Sequence, residues 1–134
     1  MAMKRYGADF TDLTINGLPM DEFGDSDPPF TIEDIDPRST LKRGVGKTSV
    51  RLDSQTRPKR LTVNLMPGSD QVRQLLALEK SGVDFFCTYR QRGTDESIAA
   101  FDGVITNRGP MGRAGKSAVT DEQFIFEFTD SEET

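Results

Sequence analysis

The residues best placed to do chemistry are few. Gly44-Val45-Gly46-Lys47-Thr48 has the ending of a phosphate-cradling P-loop, in which backbone N–H groups and a lysine hold a nucleotide's phosphates. That pattern needs an earlier glycine at position 41, which is Leu41, and a helix after the threonine, whereas Thr48-Ser-Val-Arg-Leu-Asp53 alternates like a strand. Asp25-Ser26-Asp27 opens like a calcium loop, but Pro29 and Phe30 stand where an oxygen ligand and a turn glycine belong. Neither motif supports its chemistry. The carboxylate neighbours Asp34 and Asp36, and Asp95 and Glu96, have the right groups for acid–base work but read as solvated turn residues, since nothing in the sequence sets them in a cleft.

The 134 residues include no histidine and one cysteine, so histidine triads, imidazole zinc sites and a thiolate cluster within one chain are excluded. Cys87 lies in the apolar run Phe85-Phe86-Cys87-Thr88-Tyr89, where a small buried hydrophobe is expected. The sequence implies no enzyme activity, no cofactor and no metal.

The elements that would position any site centre on residues 60–89. Leu61, Val63 and Leu65 alternate with Thr62, Asn64 and Met66 as in a half-buried strand, and Pro67-Gly68 ends it. Ser69 then supplies an N-cap and Asp70 a first-turn negative charge for a helix over about 69–81. Val72, Leu75 and Leu76 form its core side, Gln71, Arg73, Gln74 and Lys80 its outer side, and Gly82 its stop. The rest reads as strand and turn. Tyr6–Asn16 is a strand closed by an Asn16-Gly17 turn, with Leu18–Phe23 returning beside it and Phe30–Ile35 forming a third strand. A hairpin spans 83–106, with a bulge expected at Asp102-Gly103, and Phe124, Phe126 and Phe128 share one face of a final strand. The fold class is mainly β: one domain over 1–134, an antiparallel barrel or sandwich of about seven or eight strands with one flanking helix. Residues 36–46 read as a long exposed loop, 107–118 as a glycine-rich basic loop and 129–134 as a flexible acidic tail.

Charge is unevenly spread. Residues 1–36 carry net −7, residues 37–116 net +8 and residues 117–134 net −6, which together give −5. Complementary patches of this kind favour ordered association, the acidic ends of one subunit meeting the basic middle of another. Arg38, Leu41, Lys42, Arg43 and Arg113 on the basic side, and Asp25 and Asp27 on the acidic side, are therefore candidate subunit-interface residues. A competing use of Arg38, Lys42, Arg43, Lys47, Arg108, Arg113 and Lys116 is to bind nucleic acid. A pI near 4.8 and the lack of interleaved exposed aromatics weigh against it. No apolar run approaches the ~20 residues of a membrane span, so no membrane insertion is expected.

Asp9-Phe-Thr-Asp-Leu-Thr-Ile-Asn-Gly17, Glu22-Phe-Gly-Asp-Ser-Asp27, Phe30-Thr-Ile-Glu33 and the strand and helix opening at Ser69-Asp70 follow one another in an order that resembles the inner tail tube proteins of contractile-tailed bacteriophages. Those proteins are similar in fold to the tube proteins of type VI secretion. The resemblance covers roughly residues 8–128 and implies a small β-barrel with one helix, assembled as hexameric rings stacked into a tube. It also implies a virion location after assembly in the host cytoplasm, a surrounding sheath, baseplate or terminator proteins as partners, and DNA passing through the lumen. A single-ring tail protein, such as a baseplate or terminator component of related fold, is the alternative. The loop Arg108–Lys116 departs from the pattern by being more basic and glycine-rich.

Overall fold

The computed structural model describes residues 10–134, so the part of the expected first strand at residues 6–9 lies outside them. The elements are β1 (Thr11–Ile15), β2 (Leu18–Pro19), β3 (Phe30–Asp34), β4 (Ser39–Arg43), β5 (Ser49–Asp53), β6 (Lys59–Leu65), α1 (Asp70–Ser81), β7 (Phe85–Gln91), β8 (Ser97–Arg108) and β9 (Glu122–Glu133). Seven strands form one antiparallel sheet in the order β2-β1-β7-β8-β9-β6-β3, while β4 and β5 pair only with each other.

Hydrophobic alternation sets the core. In β6 every second residue from Lys59 to Leu65 is buried, and in β9 Phe124, Phe126 and Phe128 are all within 1% of full burial. Register places those rings opposite Val63, Leu61 and Lys59, and Phe85 of β7 meets Phe126 edge-on at 5.3 Å. Leu75 of α1 is fully buried and Val72 nearly so; both join this cluster, as the spacing predicts. The helix ends at Gly82 in the left-handed region, but Ser69 departs from expectation. It has the extended backbone of an N-cap without a side-chain cap bond.

The sheet curls until β3 faces β7, where Phe30 and Tyr89 pack edge to face at 5.7 Å. The two sheet edges, β1 with β2 and β3, do not pair. The segment 18–24 crosses between them: Met20 N–H donates to Leu13 O at one edge, and Gly24 N–H donates to Asn64 O beside a Phe23–Leu65 bridge at the other. The expected return strand 18–23 is thus a two-residue strand and then a crossing, since Pro19 cannot continue the ladder as a donor. Gln71, expected on the outer side of the helix, is instead buried against this crossing. Its Nε2 donates to Pro19 O at 2.6 Å and to Asp21 Oδ1 at 2.7 Å, and its Oε1 accepts from the N–H groups of Asp21 and Glu22.

Two further expectations are corrected. The stretch 36–46 is not a long loop, because Ser39–Arg43 pairs with Ser49–Asp53 as a regular hairpin. Residues 129–134 are not a free tail either. β9 runs to Glu133, pairing with β8, and Thr134 exchanges backbone hydrogen bonds with Ser97. The bulge falls where expected: between the Cys87–Ala100 and Phe85–Gly103 pairs β8 carries one extra residue, and Asp102 has φ 57°.

Candidate subunit interface

The β4–β5 hairpin stands apart from the body. Every residue from Asp36 to Asp53 is exposed, including Leu41, Val50 and Leu52 at 51–54%, and Val45 at the tip is wholly so. Cross-strand register puts Thr40, Lys42, Val50 and Leu52 on one face and Leu41, Arg43, Arg51 and Ser49 on the other. The Gly44–Thr48 motif is the tip of this hairpin, closed by Gly44 N–H to Thr48 O at 2.8 Å with Gly46 at φ 92°. Its glycines serve the turn. Arg51 pairs with Asp53, but Lys42, Arg43 and Lys47 have no ion-pair partner among the described residues.

The hairpin is fastened at its base by four charges. Arg38 Nε donates to Asp34 Oδ2 at 2.9 Å and its other end pairs closely with Glu133. Lys59, whose side chain is 4% exposed, reaches Asp34 at 2.6 Å and Glu133 at 3.3 Å. The Arg38 guanidinium and then Lys59 hold Asp34 below the usual carboxylate range, and Arg38 does the same for Glu133. Arg38 is raised in turn, chiefly by its bond to Asp34.

The other candidates fall elsewhere. Arg113 pairs with Glu122, the first residue of β9, whereas Arg38 pairs with Glu133 at the strand's far end. Arg108 joins Arg113 on Glu122 and lies 4.7 Å over the Phe124 ring. Arg38, Arg108 and Arg113 are thereby all committed within the chain. Asp25 and Asp27 flank Ser26, whose backbone N–H and Oγ both donate to Asp121, so the turn is held while their own carboxylates stay exposed. Leu41, Lys42 and Arg43, expected in an exposed loop, lie instead on one exposed strand, with Lys42 on the face opposite Leu41 and Arg43. Val50 and Leu52, which the sequence reading does not single out, add two exposed apolar side chains to the same hairpin. Cys87 is buried, and burial pushes its thiol up to about 12.

Neither a protein-family model nor a curated protein matches the sequence. Solved structures do share its fold. A chain of the anti-feeding prophage cap, described as the AFP tube terminating cap, superposes with a TM-score of 0.60 at 10% identity, over 100% of this chain and 93% of that one. A chain of the PVC sheath/tube terminator in the extended state gives 0.60 at 8% identity, over 100% and 99%. A chain of the PVC sheath–tube complex gives 0.57 at 10% identity, over 92% and 87%. PVC is there described as an extracellular contractile injection system. The fold is therefore that of contractile injection tube and tube-end components.

Proposed function

We propose that this protein is a structural ring component of a contractile, phage-tail-like particle, acting at the end of the inner tube as a cap or terminator. The observation that carries this reading is the end-to-end likeness to cap and terminator chains, which spans the whole sequence at the higher TM-scores. The hairpin supports it. A two-stranded ribbon exposed on both faces is marginal on its own in water, and a neighbouring subunit would cover it. In this reading six copies close into a ring around the conduit, sheath and tube subunits are its neighbours, and it has no catalytic role. The tube subunit itself is the second reading, favoured by the sheath–tube likeness. Sedimentation velocity with negative-stain electron microscopy on the purified protein tests both. Discrete rings that do not lengthen with concentration are expected; open-ended tubes would restore the second reading, and a persistent monomer would overturn both.

A further inference from the structure

The long sheet has a basic end and an acidic end. β6 runs from Lys59, which meets Asp34 and Glu133 at the hairpin base, to Leu65, which lies opposite Glu122 and is followed by Met66, whose N–H donates to Glu22 O. Its seven residues span roughly 20 Å. The β4–β5 hairpin thus leaves one end of the sheet and the segment 21–27 lies at the other. There Asp21, Asp25 and Asp27 are exposed, and none of Asp21, Glu22, Asp25, Asp27 and Asp70 has an ion-pair partner among the described residues. The turn that carries Asp25 and Asp27 is held in place: Ser26 Oγ donates to Asp121 at 2.7 Å, and Gly24 sits so close that a Cβ would lie 2.1 Å from Asp121 Cγ. The neighbouring Arg108 and Arg113 are both taken up by Glu122, which leaves Lys116 as the remaining cation of the loop 109–121. Met66, 48% exposed, is the apolar point beside Glu22. The hairpin end has the opposite character. Its face of Thr40, Lys42, Val50 and Leu52 holds a cation and two exposed apolar side chains with no acid, and Arg43 and Lys47 add charge toward the tip.

From this complementarity of the two ends we infer that the β4–β5 hairpin of one copy docks on the acidic end of the next, with Lys42 and Arg43 meeting Asp25 and Asp27, and Val50 and Leu52 covering Met66. The hairpin covers nothing of its own chain, since every residue from Asp36 to Asp53 is exposed. The inference rests on the ring reading above and names its contact. Each copy offers one end of each kind, so the contact is heterologous: it excludes a two-fold dimer and closes on itself only as a ring.

Two charge-reversed proteins test it, one carrying Lys42→Glu with Arg43→Glu and the other Asp25→Lys with Asp27→Lys. All four side chains are exposed, so both proteins should match the wild-type circular dichroism. Each alone places like charges across every contact and should raise the concentration for half-assembly, read by sedimentation velocity, by at least about tenfold. An equimolar mixture should assemble again, because each variant then finds its complement in the other, and native mass spectrometry should show rings holding equal numbers of the two. An Asp25→Lys, Asp27→Lys protein that assembles like wild type, or a mixture no better than either variant alone, would overturn the contact and leave the ring reading intact. A wild-type protein that never assembles would remove the ring reading, and this contact with it; if that monomer bound duplex DNA through Lys42 and Arg43, the basic end would belong to nucleic acid instead.

Discussion

Single side chains do two kinds of work in this molecule, filling the core and settling buried charge. Gly103 faces the aromatic ladder of β9, and a Cβ there would lie 2.3 Å from Phe128 Cδ1. Phe128 is 1% exposed and stacked on Phe126 at 6.1 Å, so it has little room to yield. Gly103→Ala should therefore cost about 1–3 kcal/mol through overpacking, measured by urea unfolding followed by circular dichroism. A substitution within about 0.5 kcal/mol of wild type would show that the bulge at Asp102 relaxes to admit the methyl group. Glu122 shows the other kind of work. Only 9% of its side chain is exposed, yet it takes two arginines, and it fixes the basic loop after β8 to the start of β9.

Among the elements, α1 acts as a latch more than a cover. Its Val72 and Leu75 join the core, but Gln71 holds four bonds to the crossing segment that spans the sheet edges. Gln71→Ala leaves those backbone groups without their partner and should destabilise by about 1–3 kcal/mol. Amide exchange should speed up at Asp21 and Glu22 before it does in β6, and unchanged exchange there would contradict the latch. The helix, β6, the 85–106 hairpin and the phenylalanine face of β9 were legible in the sequence, because period and turn chemistry are local. Gln71 was not, since a polar residue on a helix declares its partner only when a distant loop arrives. The β4 strand was hidden for a different reason. Neither of its faces is buried, so Ser39–Arg43 carries no apolar alternation to read. By composition the acidic end of β9 reads as a tail, whereas pairing with β8 holds it in register.

Across the whole molecule, the ion cluster of Asp34, Arg38, Lys59 and Glu133 ties together the end of β3, the hairpin base, the start of β6 and the end of β9. Its carboxylates titrate below their ordinary values of 3.8 and 4.5 in the folded state. A carboxylate with a depressed folded value stabilises the fold above its unfolded value, and that contribution is lost as pH falls through the folded one. Thermal melting should accordingly be nearly level from pH 7 to pH 5 and drop on acidification below about pH 4.5. Asp34→Asn should melt lower at pH 7 and show a shallower acid limb. An unchanged acid limb in that variant would place the acid sensitivity in other carboxylates.

The same cluster sets an order in time. Glu133 lies 80 residues after Asp53, the last residue of the hairpin, and β9, which carries it, sits in the interior of the sheet between β8 and β6. During synthesis the hairpin leaves the ribosome long before Glu133, so a nascent chain can display the ribbon without its full clamp. Arg38 acquires both acids, and the ribbon its final aim, only after the phenylalanine strand has closed the body. Under the ring reading proposed above, a half-made chain is in this way a poor match for a neighbour, and readiness to assemble arrives together with completion of the core.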